Sequence, residues 1–68
     1  GDLARAEAAY RRTLELEPGH ADAHYGLAAC LHATGRSAEA EEHWRRYLEL
    51  EPEGSHAASA AARLQAVR

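Results

Sequence analysis

At 68 residues and a net charge of −3, the chain is one small domain, too short to bury much of its surface unaided and too acidic for a phosphate-binding face. Its hydrophobic share of 46% excludes a disordered polymer, and no apolar run approaches the length of a membrane span. One cysteine, Cys30, forms no internal disulfide, so nothing in cysteine usage indicates oxidising export and the expected compartment is the cytoplasm, with the periplasm open to a larger exported protein.

The apolar residues are mostly Ala and Leu, with no Phe, Met or Ile and a single Val at position 67, which is a helix-forming composition with little to build strands. All eight basic residues are Arg. That bias, with no Lys and no Asn, is of the kind a GC-rich bacterial genome imposes.

In chain order, the first helix is expected over Asp2–Leu16, with Asp2 as N-cap and Leu3, Ala6, Tyr10, Thr13 and Leu14 forming an inward stripe. Glu7–Arg11 and Arg11–Glu15 lie off that stripe as i,i+4 pairs. Pro18-Gly19 stops the helix, because proline disfavours helical geometry in Glu17 and glycine turns freely. A second helix follows over Ala21–Thr34, with Asp22 in its first turn and His24, Leu27, Ala28 and Leu31 buried. Gly35 takes the left-handed cap. The third helix spans Ser37–Leu50, capped by Ser37, with Ala40, Trp44, Tyr47 and Leu48 inward. Glu41–Arg45, Glu42–Arg46 and Arg45–Glu49 lace its solvent side. After Pro52, Ser55 is expected to cap a fourth helix from Ala57 to about Val67, largely alanine.

The segment Gly35–Pro52 restates Gly1–Pro18 at a fixed offset, Gly1 falling on Gly35 and Pro18 on Pro52. Ala6-Glu7 pairs with Ala40-Glu41, Tyr10 with Trp44, Arg11-Arg12 with Arg45-Arg46, and Leu14-Glu15-Leu16-Glu17-Pro18 with Leu48-Glu49-Leu50-Glu51-Pro52. A 34-residue period of helix–turn–helix units resembles the tetratricopeptide repeat family. The family's slots fall on His24, Leu27-Ala28 and Leu31 in one helix, and on Ala40, Trp44, Tyr47 and Pro52 in the next. The resemblance implies an all-α, antiparallel helix–turn–helix solenoid of four helices. It divides the chain into 1–20 (second helix of a partial repeat), 21–54 (a complete repeat) and 55–68 (a capping or first helix). Opening at Gly1 in mid-repeat, the chain reads as a fragment or a processed piece.

Three features depart from the family pattern. His24 stands where a large aromatic is usual, Tyr47 and Thr13 replace a small residue, and Ala58, Ala61 and Ala62 occupy aromatic, Leu and small slots. Tyr47 is expected to fill the space those alanines vacate.

The implied function is a non-catalytic scaffold that docks a peptide or partner protein on the groove lined by each repeat's first helix. Asp22, Tyr25, Ala29 and His32 fall on those slots, with His56, Ser59 and Arg63 on the fourth helix. A carboxylate clamp of the chaperone-binding kind is disfavoured, since only Arg63 fits it. The alternative is self-association, with Leu3, Ala6 and Tyr10 burying against a second copy as a homodimer, or against the rest of a longer array. An RNA-binding cousin is opposed by the acidic balance.

No cofactor or metal is expected. His20 sits at the entry of the second helix, His24 and His32 lie along it and Cys30 lies off the His20–His24 face, so no three or four ligands cluster at the spacing of a zinc site. Cys30 sits in an alanine-like slot with no base beside it, and no glycine-rich loop or nucleophile elbow exists.

Overall fold

The computed structural model describes residues 2–66. Four helices run in order: α1 (Asp2–Leu16), α2 (Ala21–Ala33), α3 (Ser37–Leu50) and α4 (Ala57–Ala66). Each packs against its chain neighbour, α1 on α2, α2 on α3 and α3 on α4, so the stack grows along the sequence. Among the described residues there is no strand.

The core is the α2–α3–α4 seam. Leu27, Ala28 and Leu31 of α2 meet Ala40, Trp44 and Tyr47 of α3 and Ala60 of α4, with Tyr10, Leu14 and Tyr25 packed around them. The alanines sit where helix axes come closest, and the aromatic rings fill the gaps beside them. Gly26 serves the same purpose between α1 and α2: a Cβ there would lie 2.3 Å from the Tyr10 ring. Ala60 is its counterpart one repeat later, buried in the cluster that holds Trp44. The Trp44 Nε1–H is buried, and among the described residues it has no hydrogen-bond partner.

Local chemistry explains most helix ends. His20, at the N-cap of α2, accepts the Ala23 N–H on its Nδ1 at 3.0 Å. At the far end Arg36 N–H bonds Leu31 O at 2.8 Å and Gly35 N–H bonds His32 O at 3.1 Å, a Schellman pair closed by Gly35 at φ +81°. Thr34 is the C-cap rather than the last helical residue, and its hydroxyl donates to Cys30 O at 3.0 Å.

Several expectations are corrected. Ser37 is the first helical residue of α3; Arg36 is the N-cap and makes no side-chain cap bond. Asp2 lies inside the first turn of α1, where the dipole favours its charge. Ser55 lies upstream of α4 and does not cap it; the start of that helix is set instead by Ala57 N–H to Gly54 O at 3.1 Å and by His56 N–H to the Tyr47 hydroxyl at 3.0 Å. α4 is described to Ala66, so Val67 lies outside the described residues. Leu3 does not face inward: it is 47% exposed, and none of the residues of α1 is fully buried.

The alanines of α4 do not open a hole for Tyr47 to fill. Ala58, Ala61 and Ala62 are exposed, and α4 meets α3 through Ala57, Ala60 and Leu64. Those three stand one repeat after Ala23, Gly26 and Cys30, of which Gly26 packs on Tyr10 of the preceding helix. Tyr47 sits instead against Tyr25 and His56, with ring centroids 5.4 Å and 6.1 Å away.

The ion pairs also rearrange. Arg11 binds Glu7 at 3.0 Å, as expected, but its other nitrogen reaches Glu39 of α3 at 2.9 Å rather than Glu15. Arg36 bonds both oxygens of Glu7, so one carboxylate ties α1 to the α2–α3 turn. Hydrogen bonds from Arg36 and then Arg11 hold the Glu7 carboxyl below the usual carboxylate range. On α3, Glu41–Arg45 forms, while Arg46 pairs with Glu49 in place of Glu42.

Candidate functional site

A depression of about 320 Å³ lies where α1 crosses the start of α2. Tyr10 and Thr13 form its α1 side, and His20, Asp22 and Gly26 its α2 side. Tyr25 and His56 close it toward α4. It exists because helix register puts Tyr10 and Thr13 on one face, and because Gly26 lets that face come close.

Three of the seven expected groove residues meet here: Asp22, Tyr25 and His56. Tyr25 and His56 stack almost parallel, with centroids 4.2 Å apart and 15° between planes. Tyr25 also presents an edge contact to Trp44 at 5.1 Å. The two rings are therefore half core and half surface, which fixes their positions. Ala29 and His32 lie farther along α2, and Ser59 and Arg63 on α4; all four are exposed and none lines the depression.

Tyr10, Thr13, His20, Ala23 and Gly26 also line the depression, and the repeat slots do not single them out. The available signal is the unequal pair Thr13 and Tyr47, which occupy one register in successive repeats and differ by an aromatic ring.

On another face, Leu27 floors a second depression of about 320 Å³ rimmed by Arg11, Leu14, Glu15 and His43. Beside it His24, only 8% exposed, places its Nε2 2.8 Å from Pro18 O and its Nδ1 2.9 Å from Nδ1 of His43. The two rings stack at 5.2 Å. This answers why a histidine occupies a slot that commonly holds a larger aromatic: hydrogen bonds and the His43 ring replace lost packing area. Burial, and next the neighbouring His24, push the His43 pKa down.

Neither depression assembles a nucleophile with a base and an orienting group. Cys30 is a buried free thiol. Among the described residues no group of three or more His, Cys, Asp or Glu converges as a metal site, and no helix is long and apolar enough to cross a membrane.

Stacked antiparallel helices, close alanine and glycine crossings and a shallow groove define the class of helical-repeat scaffolds. The tetratricopeptide repeat family model matches residues 1–64, and the chain belongs to that family. Repeats of this family are typically non-catalytic modules for protein–protein interaction. No curated protein and no solved structure matches the chain.

Proposed function

We propose that the chain docks an extended or helical segment of a partner protein along α2 and α4, over Asp22, Tyr25, Ala29, His32, His56, Ser59 and Arg63. The observation that carries this reading is the depression holding Asp22, Tyr25 and His56, from which exposed positions continue along both helices. A pocket beside an open strip suits a chain segment better than a small metabolite, which calls for an enclosed cavity. The lone buried thiol of Cys30 is consistent with work in the cytoplasm.

Peptides selected from a displayed library against the chain test this. Binding should be lost in Ala29→Arg and weakened in Arg63→Ala, while Leu3→Arg leaves it intact. Selected peptides indifferent to both groove variants exclude the groove.

A second reading, self-association through α1, draws on Leu3 and Leu16, which are 47% and 69% exposed. Tyr10 is already engaged against Gly26, so a second copy would gain mainly the leucines. Sedimentation at rising concentration decides it: a dimer abolished by Leu3→Arg supports the assembly role, and a monomer throughout removes it.

A further inference from the structure

We propose that the depression between α1 and α2 is a pocket for a cationic side chain, an arginine or lysine carried by the partner; this rests on the docking reading above and names its chemistry.

The space has a cause in the repeat. Thr13 and Tyr47 share one register in successive units. The Tyr47 ring is 1% exposed, its oxygen accepts the His56 N–H, and a Cβ on Gly54 would lie 2.5 Å from that oxygen. Its core neighbours also include Ala60. One repeat earlier, the places of Gly54, His56 and Ala60 are taken by His20, Asp22 and Gly26, and all three line the depression. The room that a tyrosine ring fills in one unit is left open by threonine in the other. A planar guanidinium or a lysine stem with its ammonium is of that size.

The lining selects charge. Tyr10 and Tyr25 supply phenol rings, whose faces carry negative potential that attracts cations, and His56 stacks on one face of Tyr25. Asp22 is exposed, and among the described residues no cation pairs with its carboxylate; Asp2, Glu17, Glu42, Glu51 and Glu53 are unpaired too, but of these only Asp22 lines the depression. Among the described residues no arginine lines the pocket. His20 turns its Nδ1 to the Ala23 N–H, so that nitrogen is engaged by the helix start. The net charge of −3 adds a long-range bias of the same sign. An acidic peptide meets repulsion at this place; a basic one meets rings and a free carboxylate.

Isotope-labelled chain titrated with a blocked Gly-Arg-Gly tripeptide, its citrulline analogue and a Gly-Glu-Gly tripeptide tests this by NMR. The arginine peptide should shift the Asp22 and Gly26 amide resonances saturably. The citrulline peptide should bind roughly five-fold more weakly, having lost the charge but not the shape. Asp22→Asn should weaken arginine binding about three-fold, and Thr13→Tyr, which fills the pocket, should abolish it. Circular dichroism confirms that both variants fold. Equal response to arginine and citrulline overturns the proposal, as does arginine binding that survives both substitutions. Selected peptides that depend on Ala29 yet ignore Thr13→Tyr and Asp22→Asn also overturn it and leave the docking role standing. Absence of peptide binding anywhere on α2 removes both.

Discussion

His24 and His43 face each other Nδ1 to Nδ1 at 2.9 Å, so the pair has room for one hydrogen between them. Pro18 O, 2.8 Å from His24 Nε2, can only accept, which places a hydrogen on that Nε2. His24 therefore accepts on Nδ1, and His43 donates. Glu39 and Glu42 on α3 favour a charged His43, and Arg11 from α1 opposes it, but burial and His24 outweigh the carboxylates.

Stability should consequently fall in mild acid. Unfolded histidine binds a proton near pH 6.5, whereas folded His43 binds it only at lower pH, so below about pH 6.5 the unfolded chain holds more protons and gains on the folded one. The stabilising effect is complete above that pH and is lost as pH falls through the folded value. Melting temperatures measured from about pH 7.5 to 5.5 should decline, and His43→Gln, whose amide still donates to His24, should flatten the decline. Equal slopes for the two proteins would show that the pair is not responsible.

Tyr47 joins α3 to the α4 turn through its hydroxyl as well as its ring. Tyr47→Phe leaves the His56 N–H unpaired and should cost about 1 kcal/mol. Tyr47→Ala empties a buried aromatic site and should cost roughly 3–5 kcal/mol. Gly54→Ala drives a methyl toward the Tyr47 oxygen and should cost about 1–3 kcal/mol. In the Tyr47→Phe background that cost should shrink by about 0.5 kcal/mol or more. Strict additivity in urea unfolding would refute the contact.

Gly35 holds the left-handed position that closes α2. Gly35→Ala meets no neighbour within 4 Å, so its cost is backbone strain alone, about 1–2 kcal/mol. Gly35→Asn should cost less, since asparagine visits that region more readily. Thermal unfolding that ranks alanine at or above glycine contradicts the cap.

Trp44 carries a polar hydrogen into the core with no acceptor to meet it. Trp44→Phe removes the orphan donor together with part of the ring, so its cost should fall well below the roughly 3–5 kcal/mol expected of Trp44→Ala. A phenylalanine variant as unstable as the alanine variant would mean that volume alone matters here.

Helices were legible because their signals are local: the 3.6-residue spacing of Leu27, Leu31, Trp44 and Tyr47, and the stops at Pro18, Gly35 and Pro52. α1 and α3 begin and end where that spacing predicts. Caps were less legible. Ser37 and Ser55 are good cap residues, but the turns before α3 and α4 are closed by backbone carbonyls and by Tyr47 from a neighbouring helix. The face of α4 is not legible from the slots Ala58, Ala61 and Ala62, because the contact with α3 is made by Ala57, Ala60 and Leu64. The lining of the depression was legible only in part. Asp22, Tyr25 and His56 follow from repeat slots, whereas Tyr10 and Thr13 enter from a different helix, and the His24–His43 pair joins two helices through side chains far apart in sequence.

Tyr25 sits 5.1 Å from the chain's single indole, close enough for excitation absorbed by the phenol to pass to Trp44 before it is emitted. Native chain excited at tyrosine wavelengths should thus glow with the blue-shifted colour of a dry indole, and unfolding should return tyrosine light as it reddens the rest. The protein carries its own optical gauge of whether α2 and α3 remain closed upon each other, with no dye attached.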